Sequence, residues 1–163
     1  MDLNEINKSI IRHKNKSPQT YDKVLDAAIP FYIAHKKLTE DLCLMHEKKY
    51  SISNTQLDVL SSLKLVGDEN YILSPTKLYS TMVFSSGGMT KVLKKLEEKE
   101  YILRIDNEHD KRSKLVQLSK KGEILLNKAL KDVVDLEKDF FSPLDEKEQK
   151  TLKELMYKVL KDK

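Results

Sequence analysis

The sequence predicts a mainly α-helical protein with one small β-hairpin, and three observations support this fold class. The 163 residues include four Gly and four Pro, too few for the tight turns of an all-β sandwich or barrel. Apolar residues recur at helical spacing along most of the chain. Residues 101–105 and 114–118 are β-prone segments on either side of a polar stretch. With 39% hydrophobic residues the chain can build one core, so we expect a single domain over residues 1–163.

The N-terminal part predicts one short and one long helix. Residues 1–17 are mostly polar, and we expect a short helix or a loose arm there. From Tyr21 to about Tyr50 the apolar residues recur at helical spacing, which predicts a long helix. Pro30 lies inside this run and has no backbone N–H, so we expect a kink or a break near Ala27.

Two short helices are predicted next. Ser53 and Gln56 form a capping-box pattern, and the apolar face that follows them ends before Gly67. Ser74 followed by Pro75 places a capping hydroxyl ahead of a proline at the first helical position.

A third short helix is predicted to begin at Ser85 or Ser86. Gly87 and Gly88 are poor helix formers that cost roughly 1 kcal/mol each relative to Ala. They could let the backbone approach a phosphate closely, or they could relieve crowding in a tight turn, and the sequence leaves both interpretations open. One face of this helix is apolar, at Met89, Val92, Leu93 and Leu96.

The rest of the chain predicts the hairpin and two further helices. Ser119 or Lys120 opens a long helix that ends at Pro143. Asp145 with Glu148 then caps a last helix, which carries a five-residue apolar stripe.

Three short helices followed by a hairpin form the skeleton of a winged helix-turn-helix, which we expect over residues 53–120. In such a unit one helix enters the DNA major groove, and the hairpin loop can reach the neighbouring minor groove. Hydroxyl and ammonium groups on the polar face of that helix suit base edges and phosphates. The helix residues predicted to contact DNA are Ser85, Ser86, Gly87, Thr90, Lys91, Lys94 and Lys95.

The hairpin loop holds two further predicted DNA contacts, Lys111 and Arg112. An arginine at a hairpin tip can insert into a narrow, electronegative minor groove. The alternative is a solvated turn, because a charge run in a turn is usually soluble surface.

These motifs together resemble the multiple antibiotic resistance regulator (MarR) family. Residues 85–104 resemble its recognition helix followed by the pattern L-E-x-x-G-h-h-x-R. Residues 110–112 resemble its D-x-R wing motif, and residues 118–122 resemble its closing h-x-L-S/T-x-x-G pattern. The resemblance covers about residues 53–125.

The resemblance implies a homodimeric transcription regulator in which each subunit binds half of a pseudo-palindromic operator. It implies that Arg112 enters the minor groove and that Asp110 braces the wing by pairing with basic groups. Glu100 stands where the family usually has glycine, so we expect a different helix-to-strand turn. Lys94 and Lys95 replace a common acidic–basic pair, which could add phosphate contacts.

The outer helices, within residues 1–50 and 121–163, are expected to mediate dimerisation. A terminal helix with an apolar stripe must bury it, and a partner subunit can provide the cover. The resemblance implies the same arrangement. The alternative is that the stripe packs back onto its own domain.

The resemblance also implies a small aromatic effector, bound between the dimerisation helices and the DNA-binding lobe. Phe31, Tyr32 and His35, near Pro30, are the residues predicted to form such a pocket. The alternative is that these side chains are ordinary core.

Other chemistry is not expected from the sequence. Cys43 lies between Leu42 and Leu44, which favours a buried, inert thiol over an oxidant sensor. We find no metal-ligand cluster and expect neither a metal nor a cofactor. No Gly-rich phosphate loop or nucleophile elbow is present, so an enzyme is not expected.

Charge and composition limit the classes of function that remain. Lys plus Arg number 30 against 26 Asp plus Glu, and the net charge of +4 permits nucleic-acid binding without proving it. The absence of an apolar leader or a long apolar run, with one cysteine, favours a cytoplasmic protein away from the membrane. The predicted function is a homodimeric repressor of transcription that a small-molecule effector releases from double-stranded DNA. The alternative is a winged-helix protein-interaction module that docks an acidic partner.

Overall fold

The computed structural model describes residues 3–81, 88–107 and 113–161. It is mostly helical with a three-stranded antiparallel sheet, which confirms the predicted fold class. The helices are α1 (Leu3–Lys16), α2 (Leu25–Tyr50), α3 (Asn54–Val66), α4 (Pro75–Thr81), α5 (Met89–Glu98), α6 (Lys120–Phe141) and α7 (Glu146–Leu160). The strands are β1 (Ile72–Leu73), β2 (Ile102–Asp106) and β3 (Lys114–Leu118).

The chain forms two compact units that divide after Asp41, within α2. The first unit contains α1, a short 3₁₀ turn at Pro18–Thr20 and the beginning of α2. Local hydrogen bonds hold its turn: the His13 ring lies 3.0 Å from the Thr20 hydroxyl, and the Tyr21 hydroxyl donates to Asp26 over 3.0 Å.

Helix α2 is continuous across Pro30, so the predicted break does not occur and the predicted kink near Ala27 stays a prediction. The helix begins at Leu25, which places the proline in its second turn. Pro30 therefore removes the hydrogen bond to the Asp26 carbonyl near the helix start and leaves the later turns intact.

The second unit is built around a core to which α3, α4, α5, α6 and the sheet contribute. The capping box of α3 is present, since Ser53 Oγ accepts from the Gln56 N–H (3.3 Å) and Gln56 Oε1 accepts from the Ser53 N–H (2.9 Å). Apolar side chains at helical spacing face inward from the helices and alternate ones from the strands. The fully buried large side chains are Ile52, Val59, Leu60, Leu63, Leu78, Leu93, Leu96, Ile102, Val116 and Leu126.

The sheet has one strand more than the sequence predicts. Strands β2 and β3 form the expected hairpin, from Ile102 opposite Leu118 to Asp106 opposite Lys114. The two residues of β1 pair with the other edge of β3, which gives the order β1-β3-β2. A two-residue strand is too short to carry an alternating pattern, and it forms because β3 offers unpaired backbone groups.

Helix α5 begins at Met89 and not at Ser85 or Ser86 as predicted. Gly88 precedes it with a φ of 89°, in the left-handed region that interrupts a right-handed helix. No described atom lies within 4 Å of the position that a Cβ would take at Gly88, so none of the described residues crowds this glycine. The left-handed backbone is a reason for glycine at this position.

The later helices have the predicted caps. Ser119 Oγ accepts from the Gly122 N–H over 2.9 Å at the start of α6, which ends at Phe141 before Pro143. Asp145 and Glu148 form a complete capping box at the start of α7.

Candidate nucleic-acid interface

Helix α5 separates an apolar face from a basic one. Met89, Leu93 and Leu96 are buried in the lobe at 2%, 1% and 0% exposure. Four of the residues predicted to contact DNA lie on the other side of the helix and are exposed: Thr90, Lys91, Lys94 and Lys95. At about 100° per residue these four span roughly 140° of the helix surface, so they form one continuous face.

Two lysines on this face have no competing partner among the described residues. Lys91 and Lys95 form no ion pair with any residue in the described ranges. Lys94 lies 3.9 Å from Glu98, and both side chains are more than half exposed, so the pair is weak. The exposed ammonium groups are therefore available to phosphates.

An ion pair ties α5 to the hairpin. Arg104 on β2 places its Nε 3.9 Å from the Glu97 carboxylate, and the arginine side chain is 23% exposed. At this distance, and with Glu97 49% exposed, the pair contributes little to stability. It does place charged side chains of α5 and β2 next to each other, where the helix with the basic face meets the hairpin.

The base of the wing is closed by two side-chain contacts. Lys114 Nζ lies 2.9 Å from Asp106, and the Asn107 amide donates to Ser113 Oγ over 2.9 Å. The predicted DNA contacts Lys111 and Arg112 and the predicted bracing residue Asp110 lie outside the described residues. Ser85, Ser86 and Gly87 lie outside them as well.

The turn between α5 and β2 has the backbone that glycine favours, although Glu100 occupies it. Glu100 has a φ of 60°, in the left-handed region. Its carboxylate lies 2.7 Å from Lys121 Nζ, and this hydrogen-bonded pair lowers the pKa of the Glu100 carboxyl. The Ser119 hydroxyl donates to the Glu100 carbonyl over 2.6 Å. These contacts hold a residue other than glycine in the left-handed conformation, and the expected difference from the family's turn stays a prediction.

Side-chain contacts also connect the lobe to α6. The Tyr50 hydroxyl donates to Asp132, and Lys49 Nζ lies 2.6 Å from the same carboxylate. The Lys49 contact and the Tyr50 hydrogen bond lower the pKa of Asp132. Lys64 Nζ donates to Asn127 over 2.6 Å. Sequence reasoning missed these contacts because their partners are far apart along the chain.

The surroundings of Cys43 differ from the prediction, since the thiol is exposed and not buried. The Asn54 amide donates to Cys43 Sγ over 2.9 Å, and its Oδ1 lies 2.5 Å from Nδ1 of His46. His46 itself is 3% exposed. Cys43 and His46 are three residues apart and so lie on the same side of α2, where Asn54 contacts both side chains.

The predicted effector residues lie in the first unit and are exposed. Phe31 is 49% and Tyr32 is 66% exposed, which does not fit the alternative of ordinary core within one chain. The Phe31 ring lies 5.8 Å from the Tyr32 ring and 6.3 Å from the His35 ring, measured between centroids. They form an aromatic cluster on α2, and its binding of an effector stays a prediction.

Two features of the described residues bear on other functions. No three His, Cys, Asp or Glu side chains among residues 3–81, 88–107 and 113–161 group as metal ligands would. None of the helices in these ranges combines the length and the apolar composition that a membrane span requires.

Comparison with known proteins identifies transcriptional regulators as relatives of this chain. The MarR family profile matches residues 52–114. The chain is 31% identical to the HTH-type transcriptional regulator PecS of Dickeya dadantii over 69% of this chain and 68% of PecS. A MarR-like transcription regulator from Bacillus cereus superposes with a TM-score of 0.73 at 25% identity, covering 83% of this chain and 94% of that one. An E. coli MarR mutant in complex with operator DNA superposes with a TM-score of 0.68 at 24% identity, covering 98% and 99%. The relatives are transcriptional regulators and not enzymes.

Proposed function

The chain belongs to the MarR family of transcriptional regulators, and from that premise we propose that it is a homodimeric repressor. In this proposal it binds a pseudo-palindromic operator in the cytoplasm and is released by a small-molecule effector. The main support for DNA binding is the basic face of α5, where Lys91 and Lys95 are exposed and unpaired among the described residues. The operator-bound E. coli relative supports this use of the fold.

The dimer is supported by the uncovered apolar surface of the C-terminal helices. The apolar stripe of α7 includes Leu155, Val159 and Leu160, which are 53%, 60% and 76% exposed. Between α6 and α7 lies a hollow of about 570 Å³, whose apolar lining residues are Val134, Phe141, Leu152 and Met156. Exposed apolar surface of this kind typically marks an interface, and we propose that a second copy covers it. Residues 1–50 and 121–163 then contribute the dimerisation helices, and residues 53–120 the DNA-binding lobe.

The effector part of the proposal rests on the aromatic cluster Phe31, Tyr32 and His35. Exposed aromatic rings in one chain can stack on a flat aromatic ligand, which a dimer partner would enclose. A ligand that prefers one spacing of the two lobes shifts the population away from the DNA-bound state.

Selection from a random duplex library tests the proposed function. We expect an enriched inverted repeat with half-sites roughly one helical turn apart, because two symmetric recognition helices read one face of the duplex. A reporter gene placed under this repeat should be less expressed when the protein is present. If nothing is enriched and binding to duplex DNA does not depend on salt, the basic face serves an acidic protein partner instead.

The wing provides a second test. Arg112→Ala should weaken operator binding and leave the dimer intact, because a minor-groove arginine contributes to DNA affinity and not to folding. Electrophoretic mobility shift with sedimentation analysis measures both properties. Unchanged operator affinity would exclude this role for the wing.

A further inference from the structure

A polar hollow of about 470 Å³ lies in the second unit. It forms where the end of α2, the turn after it, the start of α3 and helix α5 meet. Its volume falls in the range of roughly 300–1,000 Å³ that is typical of small-molecule sites. The lining residues are Cys43, Glu47, Ser51, Ile52, Ser53, Asn54, Gln56 and Lys95.

The hollow contains one charge of each sign, and neither is neutralised by a described residue. Glu47 and Lys95 both line it and are exposed, and neither forms an ion pair with a residue in the described ranges. A purely anionic ligand would be repelled by Glu47, and a purely cationic one by Lys95. A molecule that carries both charges would complement both residues.

Gln56 adds a hydrogen-bond donor without a partner. Its side chain is 5% exposed, and its Oε1 accepts from the Ser53 N–H over 2.9 Å, so Nε2 is the amide atom that remains as a donor. Its Nε2 is buried and finds no acceptor among the described residues. A buried donor in this state destabilises the unliganded protein, so an acceptor that reaches it after a small side-chain rotation is favoured. A carboxylate is such an acceptor.

We propose that this hollow binds a small zwitterion of the α-amino-acid class. The ligand carboxylate lies at Lys95 and Gln56, and the ligand ammonium lies at Glu47. The regulatory consequence rests on the proposed function: Lys95 is also on the DNA-facing side of α5, so a bound carboxylate competes with DNA phosphate for the same ammonium group. Occupancy therefore weakens DNA binding.

The single cysteine supplies a direct readout of occupancy. Cys43 is exposed and lines the hollow, and the chain has no other cysteine. The rate of its alkylation by iodoacetamide is measured with each standard L-amino acid except cysteine added in turn. We expect at least one to slow alkylation in a saturable way. Its N-acetyl and carboxamide derivatives, each lacking one charge, should bind at least about tenfold more weakly. The proposal is overturned if no amino acid slows the alkylation. It is also overturned if the derivatives protect Cys43 as well as the parent amino acid does.

Two variants test the assigned contacts. Gln56→Glu keeps a side chain that completes a capping box but replaces the donor by an acceptor, and Glu47→Gln removes the anion without changing size. Each should raise the dissociation constant of the protecting amino acid at least about tenfold. Glu98→Gln, at an exposed glutamate of α5 that does not line the hollow, should leave it unchanged. If all three variants bind the protecting amino acid with equal affinity, the site is contradicted. If Gln56→Glu does not fold, the comparison of Glu47→Gln with Glu98→Gln is the test.

The consequence for DNA is tested separately with the selected duplex. The protecting amino acid should raise the dissociation constant for DNA at least about tenfold, since it occupies a lysine in each subunit. DNA binding without amino-acid protection refutes this inference and leaves the proposed function standing. Protection without any enriched duplex refutes the proposed function and leaves the ligand site standing. Protection with unchanged DNA affinity refutes the competition at Lys95.

Discussion

At the residue scale, Glu100 combines an unfavourable backbone with favourable contacts. Its φ of 60° lies where a side chain other than glycine is strained. The backbone is held there by hydrogen bonds on both sides: the Glu100 N–H donates to the Glu97 carbonyl over 2.8 Å, and Ser119 donates to the Glu100 carbonyl. These hydrogen bonds use the backbone of Glu100 and not its side chain.

Substitution of Glu100 separates the strain from the ion pair with Lys121. Glu100→Gly and Glu100→Ala both remove the carboxylate, but only Gly relieves the left-handed strain. We expect the Gly variant to be the more stable of the two by about 1 kcal/mol, as measured by urea unfolding. If the Ala variant is equally stable, the turn does not store this strain.

Tyr50 makes stability depend on pH in the alkaline range. Burial, and then the hydrogen bond to Asp132, raise the pKa of Tyr50 from 10.0 to about 12. The folded state therefore favours the neutral phenol. This contribution to stability is complete below pH 10 and is lost as the pH rises toward 12. Urea unfolding across this window should show a steeper loss of stability in the wild type than in Tyr50→Phe. Tyr157→Phe, at an exposed tyrosine of α7, should follow the wild type, and parallel profiles for all three would refute the assignment.

At the scale of elements, α7 differs from α5 in how its apolar stripe is covered. The chain buries Met89, Leu93 and Leu96 of α5 by itself, whereas α7 has no buried residue. Helix α5 is therefore covered by its own lobe, whereas the exposed stripe of α7 is the surface that we propose a second copy covers.

A charge placed on α7 tests this difference. Leu155→Glu should raise the dimer dissociation constant at least about a hundredfold, because a carboxylate would be buried in an apolar interface. Sedimentation equilibrium gives the constant. Leu65→Glu is the matched control at a leucine of α3 that is 77% exposed, and it should leave the dimer unchanged. A dimer equally stable in both variants would place the interface elsewhere.

The same elements show why some features were predictable from sequence and others were not. The buried positions of α3 and α5 follow from helical spacing, and the caps at Ser53, Ser119 and Asp145 follow from local hydrogen-bonding patterns. Strand β1 depends on the free edge of β3, which no local pattern encodes. The exposure of Cys43 was missed because apolar neighbours suggested burial, yet Leu44 beside it is itself 50% exposed.

At the scale of the whole molecule, a symmetric dimer would present each DNA-facing lysine twice. Each lysine that contacts a phosphate releases about one counterion on binding, so the salt dependence of affinity counts these contacts. Lys91 and Lys95 together would supply four of them in a dimer. The count distinguishes DNA binding by α5 from a general attraction of basic surface to DNA.

The most direct test of the account is the dependence of duplex DNA affinity on salt concentration, measured by fluorescence anisotropy. Replacing Lys91 and Lys95 by Ala should make the slope of log K against log salt shallower by roughly four units in the dimer. The control variant Lys147→Ala with Lys150→Ala removes the same charge from exposed positions of α7 and should keep the wild-type slope. An unchanged slope for the α5 variant, or an equal change in both variants, would contradict the assignment of α5 as the DNA-reading helix.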